Sequence, residues 1–330
     1  MMKKEEIIEN PSVFKPHVVL LGAGASLAAL PNGDANKKQL PLMNNLVEVI
    51  QLTTLLEKHK INPSGNFETI YGKLRNNDLK KEIESRVFQY FNSLSLPETT
   101  TIYDKILLSL RRKDAVFTFN WDPFLFDAYQ RNRNVAPLPH IFFLHGNVRI
   151  GACETCDNWG RKSGHCSNCN QKFEDIPLLY PLKKKNYFET NQYTALSWKS
   201  AKCWFSEAFT ITIFGYSAPT SDQEAVELLK KAWFQKSNRE FEHIEIIDII
   251  CNEQLAMRWR PFTPTHHFSA TSNFENSRLW NWPRRSCESL FYPMTKGIPC
   301  EAFPLNLKKA NDLNELQTSM KEIAKFEDKK

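Results

Sequence analysis

The sequence predicts an α/β fold: a doubly wound parallel sheet with an inserted helical module and a small zinc ribbon. Three observations predict it. Five short apolar runs each stop at glycine or polar residues, helical stretches separate several of them, and four cysteines crowd into one short segment. Short apolar runs between helices read as strands buried on both faces of a parallel sheet. Ligands of such sheets bind beyond the carboxyl ends of the strands. Five strand ends far apart in sequence are therefore expected to converge on one site.

The first run, His17 to Leu21, passes directly into Gly22-Ala23-Gly24-Ala25-Ser26. This is a strand entering a glycine turn with a helix after it. Gly22 and Gly24 would let backbone N–H groups approach a pyrophosphate at a helix N-terminus. Leu27 stands where the dinucleotide fingerprint has its third glycine, and no acidic residue at the usual distance completes the ribose contact. From about Met43 to Lys60 apolar positions recur with helical spacing. Further helical signals run through Phe67–Arg75, Leu79–Leu94 and Ile102–Leu110, so residues 40–110 read as a helical insertion.

The second run, Ala115 to Phe119, stops at Asn120-Trp121-Asp122-Pro123. Asn120 offers an amide to ribose hydroxyls or to a water. Asp122 either fixes a ligand or caps the helix that Pro123 begins. The third run, Ile141 to Leu144, ends at His145-Gly146, where a histidine freed by the following glycine can reach a cleft and act as a general base. The fourth, Phe209 to Phe214, ends at Gly215-Tyr216-Ser217. Gly215 permits close approach, and Ser217 can donate to phosphate or ribose. Asp222, Glu224 and Glu227 then read as a helix start with charges that suit its dipole. The fifth run, Ile244 to Ile250, ends at Cys251-Asn252-Glu253; Asn252 could contact an adenosine ribose, and Cys251 reads as a small buried hydrophobe. Leu313 to Phe326 reads as a helix, with Glu327 to Lys330 as a frayed tail.

Cys153-x2-Cys156 and Cys166-x2-Cys169 are two knuckles nine residues apart. Each pair can present two thiolates to one tetrahedral ion, which makes a closed, structural zinc site. Gly160 and Gly164 between them suit tight turns. The net charge of +6 allows nucleic-acid binding without arguing for it. The basic groups Arg111–Lys113, Lys183–Lys185 and Arg284-Arg285 read as solvated surface. No run of eighteen apolar residues exists and no apolar segment follows the first lysines, so neither a membrane span nor a secretory signal is expected, and a cytoplasmic location is.

In this order the motifs resemble the sirtuin superfamily. The resemblance rests on Gly22-Ala23-Gly24-Ala25-Ser26, on Thr118-Phe119-Asn120-Trp121-Asp122, on His145-Gly146 upstream of Cys153 and Cys156, and on Gly215-Tyr216-Ser217. It implies a cleft for NAD+, contacted by Gly22, Ala23, Gly24, Ser26, Asp122, Gly215, Tyr216, Ser217 and Asn252. Asn120 and His145 would serve catalysis, and Cys153, Cys156, Cys166 and Cys169 would hold structural Zn2+. The expected domains are a Rossmann-like NAD-binding part at 12–145 and 205–265 with the helical insertion at 40–110, a zinc ribbon at 146–185, and a C-terminal extension at 266–330. Two features depart from protein-deacylating members. No phenylalanine–arginine pair follows the first turn, and Ala218-Pro219-Thr220-Ser221-Asp222 replaces their peptide-docking segment. The second is closer to the glycine-tyrosine-serine pattern of bacterial sirtuin-like effectors that deplete NAD+ during phage infection, whereas the ribbon is more typical of deacylases. The resemblance thus implies an NAD+ glycohydrolase releasing nicotinamide and ADP-ribose. The alternatives are an NAD-dependent protein deacylase and a silent NAD- or ADP-ribose-binding module. Control is expected through a homo-oligomer or a separate activating partner, such as a DNA-translocating ATPase or a phage component. The ribose-reading residue is unsettled, so NADP stays open as a substrate.

Overall fold

The first strand is buried at every residue, and its side chains alternate between two cores. Val19 and Leu21 pack into one, Val18 and Leu20 into the other. That is how a strand covered by helices on both faces behaves. The computed structural model describes residues 1–153, 155–156, 158–180, 187, 191–219, 222–235, 241–249, 259, 262, 268–307 and 312–327. Its strands are β1 (His17–Leu21), β2 (Ala115–Thr118), β3 (His140–Phe143), β4 (Ile150–Cys153), β5 (Asn158–Arg161), β6 (Glu174–Asp175), β7 (Thr210–Phe214), β8 (His243–Ile247) and β9 (Phe268–Thr271).

Six of these form one parallel sheet in the order β3-β2-β1-β7-β8-β9; the other three form an antiparallel sheet, β5-β4-β6. Counting only the large sheet, its order is 3-2-1-4-5-6, the doubly wound arrangement of Rossmann-like folds. The five expected strands all form, within a residue or so at most ends. The sixth, β9, comes from the stretch expected to lie beyond the Rossmann-like part. It is an edge strand, half-buried throughout and without a long apolar run, so it carries little sequence signal.

The helices preceding the last quarter of the chain are α1 (Lys4–Glu9), α2 (Ala23–Ala29), α3 (Leu46–Val49), α4 (Thr53–Lys58), α5 (Phe67–Lys73), α6 (Asn77–Asn92), α7 (Ile102–Ser109), α8 (Phe124–Asn132), α9 (Gln192–Glu207) and α10 (Gln223–Trp233). The expected helix from Met43 to Lys60 is broken in two. Gln51 takes φ +59 between α3 and α4, a conformation no α-helix continues through. One face of the sheet is covered by α9 and α10, through Trp198, Phe205, Leu229 and Trp233. The other is covered by α2, by the helical insertion and by α8.

Arg284, Arg285 and Arg111 are not solvated surface, whereas Arg112 is exposed. The third basic group, Lys183–Lys185, lies outside the described residues, as do Cys251 and Asn252. Arg284 and Arg285 are buried, and Glu327 holds both of them. The Arg284 guanidinium also donates to the carbonyls of Leu108, Leu110 and Pro137, and Arg285 donates to those of Ile7 and Ile8. Glu327, expected to be frayed, thus ties the helix Leu313–Ala324 to α1 and to the end of α7. Arg111 is buried against Glu288 at 2.8 Å, while Asp114 takes the His17 N–H and the Lys113 ammonium. These charges are fully partnered, which is the condition for burying them. We expect Glu327→Ala, which leaves two buried guanidinium groups without their carboxylate, to cost about 3–5 kcal/mol in urea unfolding. A loss below about 1 kcal/mol would show that Glu327 is a surface charge.

Candidate functional site

The sheet order reverses direction between β1 and β7, and a doubly wound sheet opens a crevice at such a point. A cavity of about 800 Å3 lies there, lined by Gly22, Ala23, Gly24, Ser26, Asn120, Asp122, His145, Gly215, Tyr216 and Ser217. Every expected ligand-contacting or catalytic residue therefore meets in one place, except Asn252, which is not described. The helical insertion supplies the opposite wall through Leu40, Met43, Leu46, Asn66, Glu68 and Phe91.

Glycine is required in the two turns because their backbones touch. A Cβ at Gly22 would lie 2.5 Å from the Gly215 oxygen, one at Gly24 2.8 Å from Gly215 Cα, and one at Gly215 2.2 Å from Ala25 N. Gly215 also has φ +60. Gly24 N–H donates to the Gly215 carbonyl at 2.9 Å, so this N–H holds the two turns together and is not offered to a phosphate.

A directed hydrogen-bond network hangs from the first turn. Ser26 Oγ donates its one proton to Asp122 Oδ2 at 2.6 Å. It must then accept from the Tyr103 hydroxyl, 2.7 Å away, and it also accepts from Asn120 Nδ2 at 3.0 Å. Asn120 Nδ2 donates to the Gly22 carbonyl at 2.9 Å as well. That contact fixes the amide orientation, because a flipped amide would set oxygen against oxygen. Among the described residues no hydrogen bond engages Asn120 Oδ1. What Asn120 offers the cavity is therefore an acceptor, suited to a ribose hydroxyl or a water.

Asp122 has two tasks. Oδ2 holds Ser26, and Oδ1 accepts from Phe124 N at 3.3 Å at the start of α8. Burial pushes its carboxyl up to about 6, with the donated hydrogen bonds pulling the other way. Tyr103 and Asn147 are residues that sequence reasoning missed. Tyr103 sits on a helix with no motif; Asn147 pins the loop after β3 to the loop after β2, its amide donating to the Asp122 carbonyl at 2.7 Å.

His145 follows β3, where Gly146 takes φ +76 and leaves no room for a Cβ beside the Pro177 oxygen, 2.9 Å away. The imidazole lies edge-on to Phe119 at 4.8 Å and parallel to Tyr187 at 6.2 Å. Asp222, expected to be a plain helix start, does occupy the N-cap of α10 but makes no capping bond. Its carboxylate faces the cavity, accepts from the Tyr216 hydroxyl at 3.3 Å, and stands 4.0 Å from His145 Nε2.

The four cysteines converge as expected. Their Sγ atoms all lie within 4.8 Å of one another, with Cys153 and Cys169 at 3.5 Å. Zinc–thiolate bonds of about 2.3 Å in a tetrahedron put sulfurs about 3.8 Å apart, so the cluster fits one zinc with no open position. The Asn168 N–H and the Asn158 amide donate to Cys166 Sγ. Gly160 is not in a turn: it lies in β5, where a Cβ would meet Phe173 Cε2 at 2.8 Å, so it makes room for the ring beneath the cluster.

No protein-family model matches the sequence, and no curated protein matches it. Solved structures do. A Sir2 homologue in complex with NAD is 13% identical, with 88% of this chain and 94% of that chain covered and a TM-score of 0.40. A serine-to-alanine mutant of a Sir2 homologue in complex with ADP-ribose is 14% identical, with 86% and 96% covered and a TM-score of 0.42. A histidine-to-alanine Sir2 variant with deacetylated p53 peptide and 3′-O-acetyl ADP-ribose is 16% identical, with 87% and 98% covered and a TM-score of 0.38. At such scores the likenesses carry no weight for function, which rests on the cleft itself.

We expect the purified chain to carry one zinc, and Cys153→Ser or Cys156→Ser to lose it, as measured by metal analysis; full retention by both variants would remove the site. Asp122 gives a second expectation. Its native carboxyl sits above its ordinary value, so the folded chain holds a proton there that the unfolded chain releases sooner. Its stabilising contribution is complete below pH 3.8 and falls as the pH rises through about 6. Asp122→Asn should therefore gain stability relative to wild type between about pH 4 and pH 7 in urea unfolding. A pH-independent difference would place the carboxyl pKa at its ordinary value.

Proposed function

We propose that the chain is an NAD+ glycohydrolase that cleaves the nicotinamide–ribose bond with water. The observation that carries this reading is the character of one cavity. It brings Asn120 and His145 together at the switch point, and its described lining contains the carboxylates of Glu68, Asp122, Asp222, Asp248 and Glu275 but no lysine or arginine.

The chemistry explains why such a lining fits. When the bond from ribose C1′ to the pyridinium nitrogen breaks, its electron pair returns to that nitrogen. Nicotinamide leaves neutral and needs no acid. Positive charge builds on the ribose instead, and carboxylates in a partly desolvated cleft favour it. The attacking water loses a proton, for which His145 is placed as general base, while Asn120 Oδ1 orients the water or a ribose hydroxyl. The turns at Gly22–Ser26 and Gly215–Ser217 would receive the pyrophosphate and ribose. Asn252 belongs to the proposed adenosine contact by resemblance alone.

The zinc ribbon favours a second reading, NAD-dependent deacylation, because the resemblance associates it with deacylases; there an acyl-lysine oxygen attacks in place of water. An ungated glycohydrolase would drain its host of NAD+. We therefore include control by self-association or by a separate activating partner, in the setting of anti-phage defence. The deciding measurement is nicotinamide and ADP-ribose release from NAD+ without peptide. Wild type should release both, and Asn120→Ala and His145→Ala should each lower kcat by about 100-fold or more. Release only with an acylated peptide would establish the deacylase. Binding of NAD+ without turnover in either assay, and with candidate activators, would establish a silent module.

A further inference from the structure

We infer that Asp222 is the positioning partner of His145, a carboxylate that orients the imidazole and stabilises the imidazolium formed when it takes a proton. This inference rests on the NAD-cleaving reading for its kinetic consequence, though not for its geometry.

Three independent features place the pair. First, the two side chains come from opposite sides of the switch point, His145 after β3 and Asp222 at the head of α10, yet Nε2 and Oδ1 stand 4.0 Å apart. Second, both are buried and both line the cavity. A carboxylate at the start of a helix ordinarily caps it. This one makes no capping bond and points at the cleft, so the helix start alone does not account for an acidic side chain there. Third, the surroundings lock the arrangement. Phe119 stacks on Tyr216 at 4.4 Å and meets His145 edge-on, and the Tyr216 hydroxyl donates to Asp222 Oδ2 at 3.3 Å. Tyr187, itself packed on Trp198 at 4.4 Å, lies parallel to the imidazole on another side. One aromatic wedge therefore fixes the histidine, and a tyrosine hydroxyl fixes its carboxylate.

Among the described residues, two titratable tyrosines stand beside the pair. Tyr216 and Tyr187 are held far above their ordinary range, first by burial and then by Asp222, so neither ionises where the enzyme would work. Glu224 acts on Tyr187 and Glu68 on Tyr216, both from a distance. Among the described residues, Asp222 is the carboxylate within 4.0 Å of His145 Nε2. An opposite charge this close favours the protonated ring. In the hydrolytic step, water oxygen bonds to C1′, the C1′–N bond breaks towards the pyridinium nitrogen, and the water proton moves to the imidazole. Asp222 then faces an imidazolium until the proton passes to bulk solvent.

The test is the pH dependence of nicotinamide release by Asp222→Asn, which keeps an acceptor for the Tyr216 hydroxyl but loses the charge. The acidic limb of kcat/KM should move down by about 1 pH unit, kcat should fall about 10-fold or more, and KM should change less than about 3-fold. Asp222→Glu should keep the limb near its wild-type position. Tyr216→Phe should leave the limb in place whatever it does to KM. Asp222→Ser replaces the amide variant if that one does not fold. An unmoved limb in a folded, charge-free variant overturns the inference and leaves Asp222 as a partner of Tyr216 with no part in the titration of His145. If wild type releases no nicotinamide with or without acylated peptide, it is the NAD-cleaving reading that fails. The pair is then decided by NMR titration of the His145 ring, where a downward shift of about 1 unit in Asp222→Asn upholds it and no shift overturns it.

Discussion

The structure depends on a backbone contact with no side chain in it. The turn after β1 and the turn after β7 lie against each other so closely that none of Gly22, Gly24 and Gly215 can carry a Cβ, and Gly24 N–H bonds to the Gly215 carbonyl across the junction. β1 and β7 are the neighbours at which the sheet changes winding direction, so their connections leave to opposite faces. A crevice opens there in any doubly wound sheet. Here the touching glycines close its floor, so a ligand meets turns that are already locked together. The geometry also reassigns Gly24, whose N–H a dinucleotide fingerprint would offer to phosphate and which this chain uses to join its two halves.

The polar groups above the floor follow from it. Asn120 donates to the carbonyl of Gly22, Ser26 sits one turn into α2, and Asp122 and Tyr103 complete the cluster. A serine hydroxyl has one proton, so giving it to Asp122 sets the direction of every other bond around it. The result is an amide whose nitrogen is committed and whose oxygen is presented. At the amino ends of the strands another buried polar set does the opposite work. His17 is fully buried between Ser286 and Thr212, and desolvation drives its pKa down to about 3, so it is a neutral hydrogen-bonding unit with no part in the cleft. The cavity lies at one end of the sheet and this buried polar set at the other.

Much of the site was legible because strand ends are local signals. An apolar run stopping at Asn120, at His145 or at Gly215 says where a side chain emerges, and parallel topology says that such ends share an edge. Four thiols in two close pairs are equally local. What sequence could not show are the meetings between distant segments. Asp222 reads as a helix cap until β3 places His145 4.0 Å from it. Tyr103 carries no motif, and its part exists only because α7 packs beside α2. Arg284 and Arg285 read as solvated charge and Glu327 as frayed tail because burial of an ion depends on partners that composition does not reveal. β9 was missed for a different reason: an edge strand half-exposed along its length needs no long apolar run.

The distribution of charge connects the fold to the chemistry it can host. The chain carries a net charge of +6, yet the described lining of its cavity has five carboxylates and neither lysine nor arginine. A cleft evolved to seize polyanions by Coulomb attraction would show the reverse. The pyrophosphate of a dinucleotide would have to be met here by backbone and hydroxyl groups at the two turns, which hold an anion without neutralising it. Among the described lining residues the charge is then negative at the point where a ribose would lose its pyridinium. Such a field favours the cation-like state over the bound substrate only to the extent that positive charge shifts onto the sugar as the bond stretches, which is the differential interaction that accelerates a step.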